Sequence, residues 1–127
     1  MAVQMTHSAR SICTGTISNN KANFTGSSGN CCGGGVFVQD YAYFYLHDGM
    51  ITGNEATSSS ALSYGGGVTV NHNAHFTMKN GTISGNTATA TERSNGGGVF
   101  ADNNSTLDLS GGKITGNIAD SGAGMRT

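Results

Sequence analysis

The chain has no proline and no tryptophan, and only 10% of its 127 residues are charged. Hydrophobic residues make up 35%, which would leave a compact globule of this length with a poor core. The formal net charge is −1 and no basic stripe exists, which argues against nucleic acid or an anionic membrane as partner. No apolar run approaches the roughly 18 residues of a membrane span, so no membrane insertion is expected. The N-terminus, Met1-Ala2-Val3-Gln4-Met5, lacks the apolar core of a signal peptide. The three cysteines, Cys13, Cys31 and Cys32, form no C-x-x-C pair, and no His stands at zinc-finger spacing. Neither a structural metal nor a cofactor is therefore expected. Adjacent Cys31 and Cys32 would close a strained ring, so all three read as free thiols. Helical periodicity is absent throughout, which excludes a helical repeat.

Glycine is abundant instead, with 21 copies, and it is placed periodically. Gly33-Gly34-Gly35-Val36 returns as Gly65-Gly66-Gly67-Val68 and as Gly96-Gly97-Gly98-Val99, a period of 31 to 32 residues. A second motif trails each triplet: Gly49-Met50-Ile51-Thr52-Gly53-Asn54, Gly81-Thr82-Ile83-Ser84-Gly85-Asn86 and Gly112-Lys113-Ile114-Thr115-Gly116-Asn117. An earlier copy, Gly15-Thr16-Ile17-Ser18-Asn19-Asn20, lacks only the second glycine. Such a period marks a solenoid or an array. Between the landmarks apolar residues alternate, as strands require. Val36, Val38, Ala42, Phe44, Leu46 and Ile51 are matched by Val68, Val70, Ala74, Phe76, Met78 and Ile83, then by Val99, Ala101, Ser105, Leu107, Leu109 and Ile114. The expected fold is all-β: a right-handed parallel β-helix with three short strands per unit. A narrow apolar column suffices for such a fold. One domain, 1–127, is expected, with a partial rung at 6–22, rungs starting at 33, 65 and 96, and a partial rung at 122–127. Gly supplies corners with positive φ and Asn tolerates them. Asn20, Asn54, Asn86 and Asn117 should stack at one corner as a hydrogen-bonded amide ladder.

The G-G-G-V, F-x-M-x-x-G-T-I-S-G-N and T-A pattern resembles the right-handed parallel β-helix repeats of the pectate-lyase-like superfamily. The nearest variant is the repeat of bacterial autotransporter-like and polymorphic outer-membrane surface proteins. The resemblance spans about residues 8–125 and implies a scaffold at the cell surface or outside the cell. It implies no activity, because function on such a scaffold lies in sites and not in the fold.

Candidate sites follow from the columns. Segments 23–32, 57–64 and 89–95, rich in Ser, Thr, Gly and Asn, read as loops inserted at one corner, side by side. Alternation sends Tyr41, Tyr43 and Tyr45 outward, with Asn73, His75 and Thr77 one rung on, and Phe37 and Phe100 outward on the preceding strand. Exposed aromatics can stack on sugar rings or enter a protein interface, so a glycan or a host surface protein is a candidate partner. Carboxylates do not share a column: Asp40 aligns with His72 and Asn103, Asp48 with Asn80, and Asp108 with Thr77. His47, His72 and His75 suggest a cluster, but no acid–His–nucleophile order is visible. An enzyme of this superfamily would need clustered carboxylates, so the chain reads as non-enzymatic. Hydroxyl rows Thr16, Met50, Thr82, Lys113 and Ser18, Thr52, Ser84, Thr115 make ice binding a distant third reading, weakened by Met50 and Lys113.

The ends carry the preferred reading. Ile12 and Ile17 read as members of the second and third interior columns, with Arg10 where Phe44 stands and no glycine triplet before them. Gly122-Ala123-Gly124-Met125 opens a new rung. The tail would supply the strand that the head lacks, so copies would join head to tail through Arg10, Ile12, Ile17, Ile114 and Met125, with a step of roughly 15 Å. A charge at Met125 should then block assembly. A piece cut from a longer solenoid is the other reading of these ends.

Overall fold

The computed structural model describes residues 3–26, 30–59, 62–102 and 104–126. The chain is a parallel β-solenoid of about three turns, with no helix among the described residues. The first turn holds β1 (Val3–Met5), β2 (Arg10–Cys13), β3 (Thr16–Ser18), β4 (Lys21–Phe24) and β5 (Asn30–Cys32). The second holds β6 (Val36–Val38), β7 (Tyr43–Leu46), β8 (Gly49–Thr52), β9 (Glu55–Ser58) and β10 (Leu62–Tyr64). The third holds β11 (Val68–Val70), β12 (His75–Met78), β13 (Gly81–Ser84), β14 (Thr87–Ala90) and β15 (Arg93–Asn95). A fourth turn has β16 (Val99–Ala101), β17 (Thr106–Leu109) and β18 (Lys113–Thr115), and β19 (Met125–Arg126) follows. These stack in five sheets: A (β1-β6-β11-β16-β19), B (β2-β7-β12-β17), C (β3-β8-β13-β18), D (β4-β9-β14) and E (β5-β10-β15).

Each full turn thus has five strands and not three. The extra pair comes from the segments read as inserted loops, which form a thin arm made of sheets D and E; residues 27–29, 60 and 61 of those segments lie outside the described residues. Their inward columns are Ala22, Ala56, Ala88 and Cys31, Ser63, Ser94. Small side chains suit a narrow interior but give no apolar alternation to read. Sheets A, B and C enclose the main core. Val36, Val38, Phe44, Leu46 and Ile51, with Val68, Val70, Phe76, Met78 and Ile83, are almost wholly buried, and Phe44 stacks on Phe76 with ring centroids 5.9 Å apart.

The glycine triplet joins arm and core, and each member has its own reason. Gly33, Gly65 and Gly96 turn the corner at φ of 60°, 61° and 63°, where a Cβ is strained. Gly66 has backbone on both sides: an added Cβ would lie 2.5 Å from the carbonyl oxygen of Gly97 and the carbonyl carbon of Thr87. Gly67 lies against the Asn86 amide. At the opposite corner the positive φ belongs to Gly53, Gly85 and Gly116, and in the first turn to Asn19 at 56°. Asn19 therefore fills the missing glycine's role, as an αL-tolerant residue should.

Three expectations about the head are corrected. It does have a first strand: β1 pairs with β6 as Val3↔Val36, Gln4↔Phe37 and Met5↔Val38, so the first turn runs from 3 to 32 and is not a partial rung at 6–22. The register of β2 is also different. Ser11, not Arg10, lies under Phe44, and Cys13, not Ile12, lies under Leu46. Counting back from Ile17, which does pair with Ile51, misplaces β2 because the B–C corner of the first turn is one residue shorter. A one-residue slip reverses every side chain of a strand. Arg10 and Ile12 therefore point outward, and Ile12 is 68% exposed.

Candidate functional site

The outer face of sheet B carries the tyrosines, and the β2 register changes their meaning. Tyr43 has His75 on one side, with centroids 4.3 Å apart and planes 2° apart. Arg10 lies on the other side, its guanidinium carbon 4.5 Å from the ring centroid. Since β7 sits between β2 and β12, the two partners take opposite faces. No ring face of Tyr43 is left for a sugar; the column is a cation–π and stacking ladder, worth about 1 kcal/mol at such an exposed site. Tyr41 is not in the strand row. It sits at the A–B corner at φ 67°, beside Asp40 at 55°, and is exposed. Tyr45 borders a cavity of about 180 Å³ with Ile12, Leu46, His47, Thr77 and Lys79. Phe100 faces outward as expected, but Tyr64 covers it, with centroids 4.5 Å apart, and the Thr69 hydroxyl donates to the Tyr64 carbonyl at 2.9 Å.

The ionisable groups disperse. Asp40 accepts from Thr6 Oγ1 at 3.1 Å and lies 3.8 Å from His72 Nδ1; Asn103, its other aligned neighbour, lies outside the described residues. Asp48 is 3.7 Å from His47 Nε2 at the B–C corner. His75 stands in the tyrosine ladder, so the three histidines serve three different places. Glu55 accepts from Thr57 Oγ1 at 2.7 Å and faces Lys21 Nζ at 3.4 Å. The Thr57 hydrogen bond first, and Lys21 after it, hold its carboxyl below the ordinary value. Asp108 pairs in register with Thr77. Asp120 takes a structural place that sequence did not suggest. Its carboxylate accepts from the Ser94 backbone N–H at 2.9 Å while its own N–H donates to Ser94 Oγ at 2.9 Å, closing the end of the arm. Among the described residues no three His, Cys, Asp or Glu side chains are placed to hold a metal ion. The hydroxyl row Ser18, Thr52, Ser84 and Thr115 is in register, but Thr52 Oγ1 and Ser84 Oγ bond each other at 3.2 Å, and Met50 interrupts the neighbouring row.

The two ends of the solenoid hold the most suggestive geometry. The asparagine ladder runs in one direction. Asn20 donates its backbone N–H and Nδ2 to Asn54 Oδ1, both at 3.0 Å. Asn54 repeats this on Asn86, at 2.9 and 3.0 Å, and Asn86 on Asn117, at 2.9 Å each. The second Nδ2 hydrogen reaches back to Ile17, Ile51 and Ile83 carbonyls. Asn117 thus ends the ladder with donors, and Asn20 with an acceptor. Ile17 and Ile114 close the two ends of one interior column, and Met125 lies over Val99. At the C-terminal end a cavity of about 390 Å³ opens between Met78, Leu109, Ser110, Gly111, Gly112 and Ile114. Comparison with protein-family models, with curated proteins and with solved structures gives no match.

Proposed function

We propose that the protein is a non-enzymatic structural module whose copies stack end to end, serving as a scaffold or adhesive repeat at a bacterial cell surface. The one-way amide ladder carries the reading. Its donor end and acceptor end are complementary, so a second copy in the same orientation continues it without change of register. The parallel sheets support this, because each end presents unpaired strand edges that suit the opposite end of another copy. The dispersed carboxylates support the non-enzymatic part. Placement at the cell surface follows from the resemblance of the repeat motifs to those of bacterial surface proteins.

Sheets B and C contribute four strands each, so a subunit spans four layers and the step is about 19 Å, not the 15 Å expected from three rungs. Light scattering against concentration, with negative-stain electron microscopy, tests the reading. Growth with concentration into unbranched filaments of about 19 Å repeat is the expected result, and a monodisperse monomer at all concentrations rejects it.

A narrower second reading rests on the cavity beside Tyr45. There a small ring could lie against Ile12 and Tyr45, with Thr77, His47 and Lys79 offering polar contacts. Glycan binding lost in Tyr45→Ala but retained in Tyr43→Phe would support it; a glycan array without hits would end it.

A further inference from the structure

Sheet A has five strands, whereas sheets B and C have four. An endless stack requires every core sheet to contribute the same number of layers per subunit. If copies stack as proposed above, on which this inference rests, one strand of sheet A is surplus at every joint. The candidates are β1 of the incoming copy and β19 of the receiving copy, because both need the same edge of β16. The expectation that tail complements head is therefore reversed: head and tail compete.

We infer that the joint forms by strand exchange, in which β19 leaves β16 and β1 of the next copy takes its place. Register makes the exchange equivalent to contacts already present. Val36, Val68 and Val99 are successive members of one column, so the three pairs that β1 makes with Val36–Val38 can be repeated on Val99–Ala101. Among the described residues, β19 holds the same edge through Val99↔Met125 and Phe100↔Arg126. Burial favours the same outcome. Val3 is partly buried against the core, whereas Met125, which takes the equivalent place on Val99, is 40% exposed.

The rest of the first turn fits the same docking. Cys13 and Ile17 belong to the columns that end in Leu109 and Ile114. Docking would bring both onto the 390 Å³ cavity at the C-terminal end. The Asn117 backbone N–H and Nδ2 would donate to Asn20 Oδ1 of the next copy. β19 occupies the edge of β16 that β1 of the next copy needs, which slows joining without preventing it.

Two changes test this, with the 127-residue chain as reference: removal of residues 122–127, and Met125→Asp, which weakens β19 and leaves the core untouched. Assembly is followed by light scattering, and folding of each variant by its urea midpoint. Both variants should assemble at a concentration at least tenfold lower than the reference, with the 19 Å repeat kept. Removal of residues 1–5 together with 122–127 should weaken assembly, since sheet A would then have three strands for four layers. An unchanged or higher assembly threshold in the tail variants, with the reference still forming filaments, overturns strand exchange and leaves end-to-end stacking standing. Absence of assembly in the reference and in every variant overturns both.

Discussion

Gly66 and Gly15 differ in everything except their side chain. Around Gly66 the nearest atoms to an added Cβ are backbone, at 2.5 Å, whereas nothing lies within 4 Å of one at Gly15. Backbone held by two sheets has no flexible end to move aside. Gly66→Ala should therefore destabilise by about 4 kcal/mol or more. Gly15→Ala should be neutral or stabilise by about 0.5 kcal/mol, through the unfolded chain's lost freedom. Urea midpoints check both, and equal midpoints would show that the arm and core are not in backbone contact. Asn86 makes the same contrast for polar groups. Its amide is fully buried and joins two ladder steps, so Asn86→Ala strands donors on Asn54 and the Ile51 carbonyl, while Asn117 Oδ1 keeps the backbone N–H of residue 86. A loss of about 3 kcal/mol is expected, against about 1 kcal/mol for Asn20→Ala at the open end. A loss in Asn86→Ala no larger than that in Asn20→Ala would mean that water enters the ladder.

Strands with large apolar side chains were legible, and strands with small ones were not. Val36, Phe44, Ile51 and their equivalents announce sheets A, B and C by period and by repetition. Sheets D and E are built on Ala and Ser columns, so the same residues read as loop. The β2 register failed for another reason: isoleucine is a plausible core residue, and one missing corner residue made Ile12 fit the column that Cys13 occupies. The A–B corner was equally hidden, since His7, Asp40, Tyr41, His72 and Asn73 all adopt positive φ with no glycine to mark it. The arm also hides two thiols. Burial, and next the negative charge that Cys31 would carry, push the Cys32 thiol up to about 12. Burial raises Cys31 above 9.0, partly offset by the backbone of Thr57. Between pH 9 and 12 the unfolded chain loses thiol protons that the folded chain retains. Stability should therefore be flat below pH 9 and fall as pH rises above it, by at most about 1.4 kcal/mol per pH unit for each thiol. Urea unfolding between pH 8 and 10 checks this, and the slope should disappear in Cys31→Ala, Cys32→Ala. A slope that survives in that variant would place the titration elsewhere, Tyr64 included, whose hydroxyl is also raised by burial.

At the scale of the molecule, each turn touches only the turns above and below it, so stability is a sum of neighbour terms and not a property of one shared core. The second and third turns are covered on both sides; the fourth is covered on one and lacks an arm, its place taken by Asp120 against Ser94. Opening should therefore begin at the ends. Leu107, Leu109 and Ile114, at the C-terminal end, are partly or largely exposed, whereas Phe44, Phe76, Ile51 and Ile83 are buried. Native-state hydrogen exchange should show this as a gradient, slowest in β7, β8, β11 and β12 and fastest in β17, β18 and β19. Stacking changes the boundary condition, because it gives the fourth turn a neighbour. In assembled protein, β17 and β18 should become as protected as β12 and β13, while β19 stays fast if it has been displaced from β16. Equal protection across all turns of the monomer would contradict the neighbour-sum picture. Slow exchange at β19 in the assembled state would place that strand inside the joint and assign the displaced position to β1.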